Sequence, residues 1–244
     1  RGVYWGKLSN GAIDISIGPA VKLWEFNSEI PIIPDKKKLV GAAQFINYKD
    51  IIIEGNSIGL IKKGMSLNLG AIGKGFAVDQ AIKELKKTGI KSGLINAGGD
   101  LRAFGLIAGK RPWHIGIQHP RKPEQIIISL DIKDKGVATT GDYQRYFIKN
   151  KTRYHHILNP KNGWPTNKTI SATVVADTVM DADALSTALF IMGTKKGIDF
   201  INSLDGVEGM IVSNRGYASY SSEFHNISGF SLKGLKKKLL LSDK

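Results

Sequence analysis

A chain of 244 residues, of which 42% are hydrophobic, is long enough to bury a core, and this composition argues against extended disorder. The absence of cysteine excludes disulfide bonds, thiolate metal sites and a cysteine nucleophile. The net charge of +14 is spread over short lysine runs without an arginine-rich arm or an aromatic RNA-binding strand, so we interpret it as solvated surface and expect no nucleic-acid partner.

The first predicted elements are two helices separated by a hairpin. Residues 35–46 follow a proline and carry apolar residues at a helical spacing, which predicts a short helix. Residues 50–64 predict two strands around a turn at Gly55. Residues 76–88 repeat apolar side chains at i, i+4 and i+7, and Gly89 is the expected C-terminal cap of this helix.

Three glycines and a lysine stand before the second predicted helix, at Gly70, Gly73, Lys74 and Gly75. Glycine-rich loops that lead into a helix let backbone N–H groups approach a phosphate. The spacing matches neither the dinucleotide fingerprint nor the P-loop, in which a Ser or Thr follows the lysine. By itself this segment is a weak indication of an anion site.

The rest of the chain predicts short strands, one more helix and a tail rich in Lys and Leu. The strand segments are SGLINAGGDLRAFG, WHIGIQHP, EQIIISLDI, TISATVVA and the closing hairpin EGMIVSNRGYASYS. The pair Gly98 and Gly99 marks a bend within the first of them. Because strands and helices mix without a regular strand–helix–strand alternation, the sequence predicts an α+β fold.

The predicted helix over 181–192 carries three oxygen-bearing side chains close together. Asp183 and Thr187 are four residues apart and project from the same face, with Ser186 beside them. Carboxylate and hydroxyl oxygens suit Mg²⁺ or Ca²⁺ rather than zinc. The alternative is that Asp181 or Asp183 caps the helix and the hydroxyls merely occupy its interior.

Two adjacent histidines, His155 and His156, precede a loop rich in Asn, Gly and Pro. In an extended segment their side chains point to opposite faces, so at most one of them enters a given site. Histidine is the most frequent proton acceptor in catalysis. The alternative is a half-buried strand histidine without a chemical role.

Seven motifs follow one another in an order that is specific, although each is weak alone. They are GAIDISIGPAVKLWEF, NLGAIGKGFAVDQAI, INAGGDLRAFG, WHIGI, TTGDYQRYF, YHHILNP and DADALSTALFIMG. In this order they closely resemble the ApbE family of flavin transferases, which move FMN from FAD onto a threonine or serine of a protein. The resemblance runs from about Ser9 to beyond Arg215 and implies one compact α+β domain of the T-fold type over residues 1–244.

The resemblance also implies roles for particular residues. Ala71, through its backbone carbonyl, and Asp183 and Thr187, through their side chains, match the Mg²⁺ ligands of the family, with Ser186 as a further contributor. His156 matches the residue regarded as the catalytic base. The remaining matched positions are contacts to the flavin nucleotide: Ala12, Ile13, Asp14, Asn68, Lys74 and Ile157.

The implied reaction is a Mg²⁺-dependent transfer of FMN from FAD to a Thr or Ser hydroxyl of an acceptor protein, with release of AMP. Two alternatives stay open, a Mg²⁺-dependent FAD pyrophosphatase that gives FMN and AMP, and a non-catalytic FAD-binding protein. The resemblance further implies an extracytoplasmic location, in the periplasm or at the cell surface. It also implies peripheral or lipid-anchored membrane association through an N-terminal segment outside the given sequence.

The chain departs from the family pattern in three places. Asn68 stands where aspartate is common, so one acceptor loses its charge. Asn159 replaces an aspartate in the pattern H-I-x-D-P, and we expect the turn to tolerate this change. The sequence given begins later than most family members do, so we expect part of the domain to be missing from it.

Overall fold

The computed structural model describes residues 1–26 and 28–233, and the chain divides into two compact units. Unit one is Arg1–Ala71 with Asp142–Asn167, and unit two is Ile72–Gly141 with Lys168–Lys244. The tail rich in Lys and Leu lies outside the described residues. Both units mix helices and strands, so the predicted α+β class is confirmed.

Unit one contains short helices and two separate hairpins. The elements are α1 (Gly2–Leu8), α2 (Gly18–Val21), α3 (Lys36–Ala43), a 3₁₀ helix (Tyr48–Asp50), β1 (Ile51–Glu54), β2 (Ser57–Leu60), β8 (Tyr146–Lys149) and β9 (Thr152–His155). The helix predicted over 35–46 is thus confirmed but shorter. Its first turn is held by Asp35, whose carboxylate accepts the N–H groups of Lys37 and Lys38 at 2.8 and 3.2 Å.

Both hairpins of unit one close with two-residue turns. Glu54 pairs with Ser57, so the predicted turn at Gly55 is confirmed, and this glycine has a φ of +57°. In the second hairpin Lys149 pairs with Thr152, and Tyr146 lies opposite His155. This register brings the start of β8 next to the end of β9, where the two adjacent histidines lie.

An aromatic cluster forms the core of unit one around Trp24. Its indole stacks on Phe26 at a centroid distance of 5.3 Å and meets Trp164 edge-on at 5.4 Å. The indole N–H donates to the Gly163 carbonyl at 2.8 Å, so the polar end of this buried ring is satisfied.

Unit two contains a six-stranded antiparallel sheet with the order β12-β11-β10-β7-β4-β3 and a three-stranded sheet with the order β13-β6-β5. Its strands are β3 (Gly93–Ala97), β4 (Asp100–Phe104), β5 (Trp113–His119), β6 (Lys122–Ile132), β7 (Gly136–Gly141), β10 (Thr169–Ala176), β11 (Glu208–Ser213), β12 (Ala218–Tyr220) and β13 (Ser231–Leu232). Its helices are α4 (Gly73–Lys87), α5 (Val179–Met192), α6 (Thr194–Asn202) and a 3₁₀ turn (Phe224–Asn226). The predicted strands and the closing hairpin are confirmed.

The central strand β10 is buried along its whole length. Residues such as Val175 of β10 share one apolar cluster with Ile128 and Leu130 of the smaller sheet. Helix α5 packs against β10 and β7, and nine of its fourteen residues are buried. Because this helix is apolar almost all round, its few polar side chains are held in fixed surroundings.

Helix α4 begins three residues earlier than the sequence predicts, at Gly73 rather than residue 76. Gly73, Lys74 and Gly75 therefore form its first turn and are not a loop ahead of it. The predicted cap at the other end is confirmed: Gly89 has a φ of +88°, and its N–H donates to the Lys86 carbonyl at 3.1 Å.

Candidate functional site

The predicted residues Lys74 and Asp183 lie together in unit two, with a third charged residue, Asp100. Lys74 comes from the first turn of α4, Asp100 from the start of β4 and Asp183 from α5. The Lys74 ammonium contacts the Asp100 carboxylate and lies 3.8 Å from the Asp183 carboxylate. The two acidic side chains are only 2% and 4% exposed, whereas that of Lys74 is 42% exposed.

Burial dominates the electrostatics of the two carboxylates. It raises the pKa of Asp183 to about 7, and the neighbouring Asp100 carboxylate adds to the effect while Lys74 opposes it. Burial likewise raises the pKa of Asp100 against the hydrogen bond from Lys74. Lys74 therefore compensates the charge of the pair only in part, as is expected of a site that accepts a cation.

Gly75 explains how α4 comes close enough to take part in this cluster. A Cβ at this position would lie 2.4 Å from the Val179 carbonyl oxygen and 2.6 Å from the backbone of Met180, at the start of α5. The close approach lets the Gly75 N–H donate to an Asp183 carboxylate oxygen at 3.2 Å. Gly75 therefore allows α4 to pack closely on α5 and donates a hydrogen bond to Asp183.

Thr178, not Asp181 or Asp183, caps α5. Its hydroxyl oxygen accepts the Asp181 N–H at 3.1 Å, and its O–H donates to the Asp181 carboxylate. The alternative in which Asp183 caps this helix is therefore wrong. The Asp79 carboxylate accepts the N–H groups of Val179 and Met180 at 3.1 and 2.9 Å, which completes the cap.

A chain of hydroxyl groups runs along the face of α5 that carries Asp183. Ser186 Oγ donates to the Asp183 carbonyl at 3.0 Å, so it accepts the hydroxyl proton of Thr140, whose oxygen lies 2.8 Å away. Thr140 Oγ1 in turn accepts from Thr187 Oγ1 at 3.2 Å. The Thr187 oxygen thus keeps its lone pairs for another partner, whereas Ser186 is fully buried.

These donors fit a hard divalent cation. Two buried carboxylates of raised pKa and a hydroxyl oxygen with its proton directed elsewhere are the ligand types that Mg²⁺ prefers. Among residues 1–26 and 28–233, no group of three or more His, Cys, Asp or Glu side chains is placed to hold a metal ion. A cation at Asp183 therefore needs hydroxyl or backbone oxygens as well.

The predicted flavin contacts Ala12, Ile13 and Asp14 belong to a tightly bonded loop of unit one. One Asp14 carboxylate oxygen accepts the N–H and the hydroxyl of Ser16 at 2.9 and 2.6 Å, and the other accepts the Tyr48 N–H at 2.8 Å. Ile13 is buried and Ala12 is half-buried. The carboxylate has a structural role here, and its contact with flavin stays a prediction.

Asn68 and Ala71 lie on the segment of unit one that leads to α4. The Asn68 N–H donates to the Ile15 carbonyl at 2.7 Å, and its side-chain oxygen accepts the Gly70 N–H at 2.9 Å. The asparagine therefore makes the turn contact that an aspartate would make. The Asn159 side chain likewise accepts the Lys161 N–H at 3.0 Å, so the turn tolerates this second departure from the family pattern. Ala71 is half-buried.

The two histidines at the end of β9 have different surroundings. His155 is 3% exposed, with Nε2 2.6 Å from the Thr166 carbonyl and Nδ1 accepting the Ile157 N–H at 3.3 Å, so both ring nitrogens contact the backbone and the residue has a structural role. His156 is half-buried, and its Nδ1 lies 3.2 Å from the Arg145 carbonyl. Because a carbonyl only accepts, this contact requires a proton on Nδ1 of His156. Ile157 is buried.

Sequence reasoning missed Asp100 and Thr140. Both lie within quoted motifs, Asp100 directly after Gly98 and Gly99, but neither has a partner nearby in the sequence. Strand pairing and helix packing bring Asp100 into contact with Lys74, which is 26 positions away in the chain. They likewise bring Thr140 into contact with Ser186, which is 46 positions away. The local signal for Asp100 is an acidic residue directly after a pair of glycines.

Comparison with known proteins assigns the family. The family model described as "ApbE family" matches residues 1–211. The chain belongs to the ApbE family. The family resemblance inferred from the seven motifs is thus confirmed.

Relatives of this ApbE chain bear one activity name. The FAD:protein FMN transferase of Treponema pallidum is 31% identical over 232 residues, which are 87% of this chain and 63% of that protein. The FAD:protein FMN transferase of Vibrio cholerae is 32% identical over 220 residues, or 88% of this chain and 66% of that protein. The chain therefore spans just under two thirds of the length of these curated relatives.

A solved structure supports the fold. The ApbE protein of Thermotoga maritima matches with a TM-score of 0.87 and 34% identity, over 93% of this chain and 75% of that one. The α+β fold is that of the ApbE structures.

None of the helices in the part of the chain that the structure describes has the length and apolar character to span a membrane.

Proposed function

We propose that this chain transfers FMN from FAD to a Thr or Ser hydroxyl of an acceptor protein, in a Mg²⁺-dependent reaction. The observation that carries the proposal is the buried cluster of Lys74, Asp100 and Asp183 in a chain of the ApbE family. Its relatives from Treponema pallidum and Vibrio cholerae are both named FAD:protein FMN transferase.

Asp183 and Thr187, both on α5, are the proposed side-chain ligands of the cation. The match of the Ala71 carbonyl to a backbone ligand stays a prediction of the family resemblance. When bound, a divalent cation supplies positive charge that neutralises the pyrophosphate of FAD. The hydroxyl chain through Thr140 and Ser186 fixes the Thr187 rotamer, so that its lone pairs are oriented before any ligand arrives.

His156 is the proposed general base. The Arg145 carbonyl lies 3.2 Å from Nδ1 and orients the imidazole, which in this proposal accepts the proton of the acceptor hydroxyl. The hydroxyl oxygen forms a bond to the FMN-side phosphorus, and the bond from this phosphorus to the bridging oxygen breaks. AMP leaves with the bridging oxygen, and FMN stays on the acceptor as a phosphoester.

The test is incubation with FAD, Mg²⁺ and a purified candidate acceptor domain, with intact-mass analysis of the acceptor and chromatography of the nucleotides. We expect a mass gain of one FMN less one water, together with one equivalent of AMP. His156→Ala and Asp183→Asn are expected to abolish the gain. Their controls are His225→Ala and Asp177→Asn, which change exposed residues of the same types.

The other outcomes contradict either the transfer or the role of His156. Free FMN and AMP without an adduct on the acceptor domain indicate the pyrophosphatase. Intact FAD that nevertheless binds the chain indicates a non-catalytic flavin-binding protein. An adduct that forms equally well with His156→Ala removes this histidine from the reaction.

The extracytoplasmic location and the membrane association inferred from the resemblance stay predictions, as does the assignment of residues 1–244 to one domain.

A further inference from the structure

The charges around Lys74 are unequal in number and in burial. Two carboxylates that are almost fully buried, Asp100 and Asp183, share one ammonium whose side chain is 42% exposed. Lys74 contacts Asp100 directly and lies 3.8 Å from Asp183. Two buried acids need compensating charge, and one partly solvated lysine gives only part of it.

The lysine also lies where a metal ion bound by Asp183 would repel it. An ammonium and a divalent cation that both lie within about 4 Å of one buried carboxylate repel each other, even at an effective dielectric constant of about 20. The Lys74 side chain has four rotatable methylene units and is partly exposed, so it is able to move into solvent. Asp100 and Asp183 have no such freedom.

We propose that the Lys74 ammonium is a resident counter-ion of the Asp100–Asp183 pair and that a divalent cation displaces it. The inference rests on the proposed function for the cation at Asp183. Asp100 is a positioning residue in this scheme, because it holds Lys74 in the metal-free protein and adds negative charge beside the cation.

The test is isothermal titration calorimetry with MgCl₂ alone, without flavin, at pH 8 on the full chain. Removing the competitor by Lys74→Met is expected to tighten Mg²⁺ binding by roughly tenfold, because a partly screened charge is lost. Lys74→Arg keeps the charge and is expected to bind Mg²⁺ like the wild type. Lys83→Met, an exposed lysine on the same helix, is the matched control and is expected to have no effect.

Asp100→Asn is expected to weaken Mg²⁺ binding and to reduce the gain from Lys74→Met when the two are combined. A lysine that merely supports the fold would not give this pattern, because its loss would weaken or leave unchanged the binding of Mg²⁺. Unchanged or weaker binding in Lys74→Met therefore overturns the exchange.

A second measurement covers the case in which Lys74→Met does not fold. The lysines of the wild type are reductively methylated with ¹³C, and the Lys74 signal is identified by its loss in Lys74→Arg. MgCl₂ is expected to shift this signal towards those of exposed lysines and to leave Lys83 unchanged; a static Lys74 signal refutes displacement.

Failure of the inference is distinguishable from failure of the proposed function. If the wild type does not bind Mg²⁺, or if Asp183→Asn binds it as well as the wild type does, the proposed cation site and the exchange are both wrong. If the wild type binds Mg²⁺ through Asp183 but Lys74→Met does not tighten it, only the exchange falls.

Discussion

Gly75→Ala tests whether close packing between α4 and α5 builds the candidate site. A Cβ at Gly75 would meet the Val179 carbonyl oxygen at 2.4 Å and Met180 backbone atoms at 2.6 Å. Because both neighbours are backbone atoms of a capped helix, neither is able to rotate away. The two helices must separate, and the Gly75 N–H then moves from the Asp183 carboxylate.

The magnitude follows from two opposing effects. Overpacking costs about 1–3 kcal/mol of the free energy of unfolding, and the contact with rigid backbone places Gly75→Ala near the upper end. Replacing glycine by alanine within a helix returns up to about 1 kcal/mol. We therefore expect a net destabilisation of about 1–2 kcal/mol.

The matched control is Gly41→Ala, also within a helix, where no atom lies within 4 Å of the added Cβ. This variant is expected to gain about 0.5–1 kcal/mol. Urea denaturation followed by far-UV circular dichroism compares the two, and calorimetry with MgCl₂ reports on Asp183. If Gly75→Ala stabilises the protein as Gly41→Ala does, and Mg²⁺ binding is unchanged, the packing argument is refuted.

Three further predictions concern the two histidines and the proposed cation site. His155→Ala is expected to lower the free energy of unfolding by about 1–3 kcal/mol, because the Thr166 carbonyl and the buried Ile157 N–H lose their partner. His156→Ala is expected to leave the free energy of unfolding within about 0.5 kcal/mol of wild type. The reverse order of the two variants in urea titrations would contradict the assigned roles. Since the pKa of Asp183 is raised from 3.8 to about 7, its contribution to stability is present at low pH and is lost as the pH rises through 7. Because a cation binds the deprotonated carboxylate, the rise in melting temperature on adding MgCl₂ is expected to be larger at pH 8 than at pH 6. Equal shifts in scanning calorimetry at the two pH values would argue against a cation at Asp183. Thr187→Val removes the proposed hydroxyl ligand and is expected to weaken Mg²⁺ binding at least about tenfold, whereas Thr187→Ser keeps it; equal affinities for the two variants would exclude Thr187 as a ligand.

Secondary structure was predictable where a single local signal decided it. The Schellman cap at Gly89 and the two-residue turn at Gly55 each need a positive φ, which glycine adopts at little cost, so the sequence marks both. The start of α4 was misplaced because glycines at 73 and 75 argue against helix by propensity. Packing of α4 on α5 overrides that propensity, since only glycine fits against the α5 backbone at position 75.

The candidate site was likewise predictable only where a local pattern in the sequence pointed to it. Asp183 and Thr187 were grouped because both lie on one helix four residues apart, and helical geometry puts them on one face. Their assignment as metal ligands came from the family resemblance. The role of His156 came from the resemblance, and its difference from His155 became visible only through the Arg145 and Thr166 carbonyls.

The sequence by itself determined the α+β class, most of the elements, the family and the residues matched to its motifs. These follow from patterns within a few residues or from the order of the motifs. The tertiary structure alone decided that Asp100 and Asp183 are buried around Lys74 and that Thr140 orders the hydroxyls of α5. The reason is that burial and charge pairing depend on residues that lie far apart in the chain and meet only when the sheet and its helices pack.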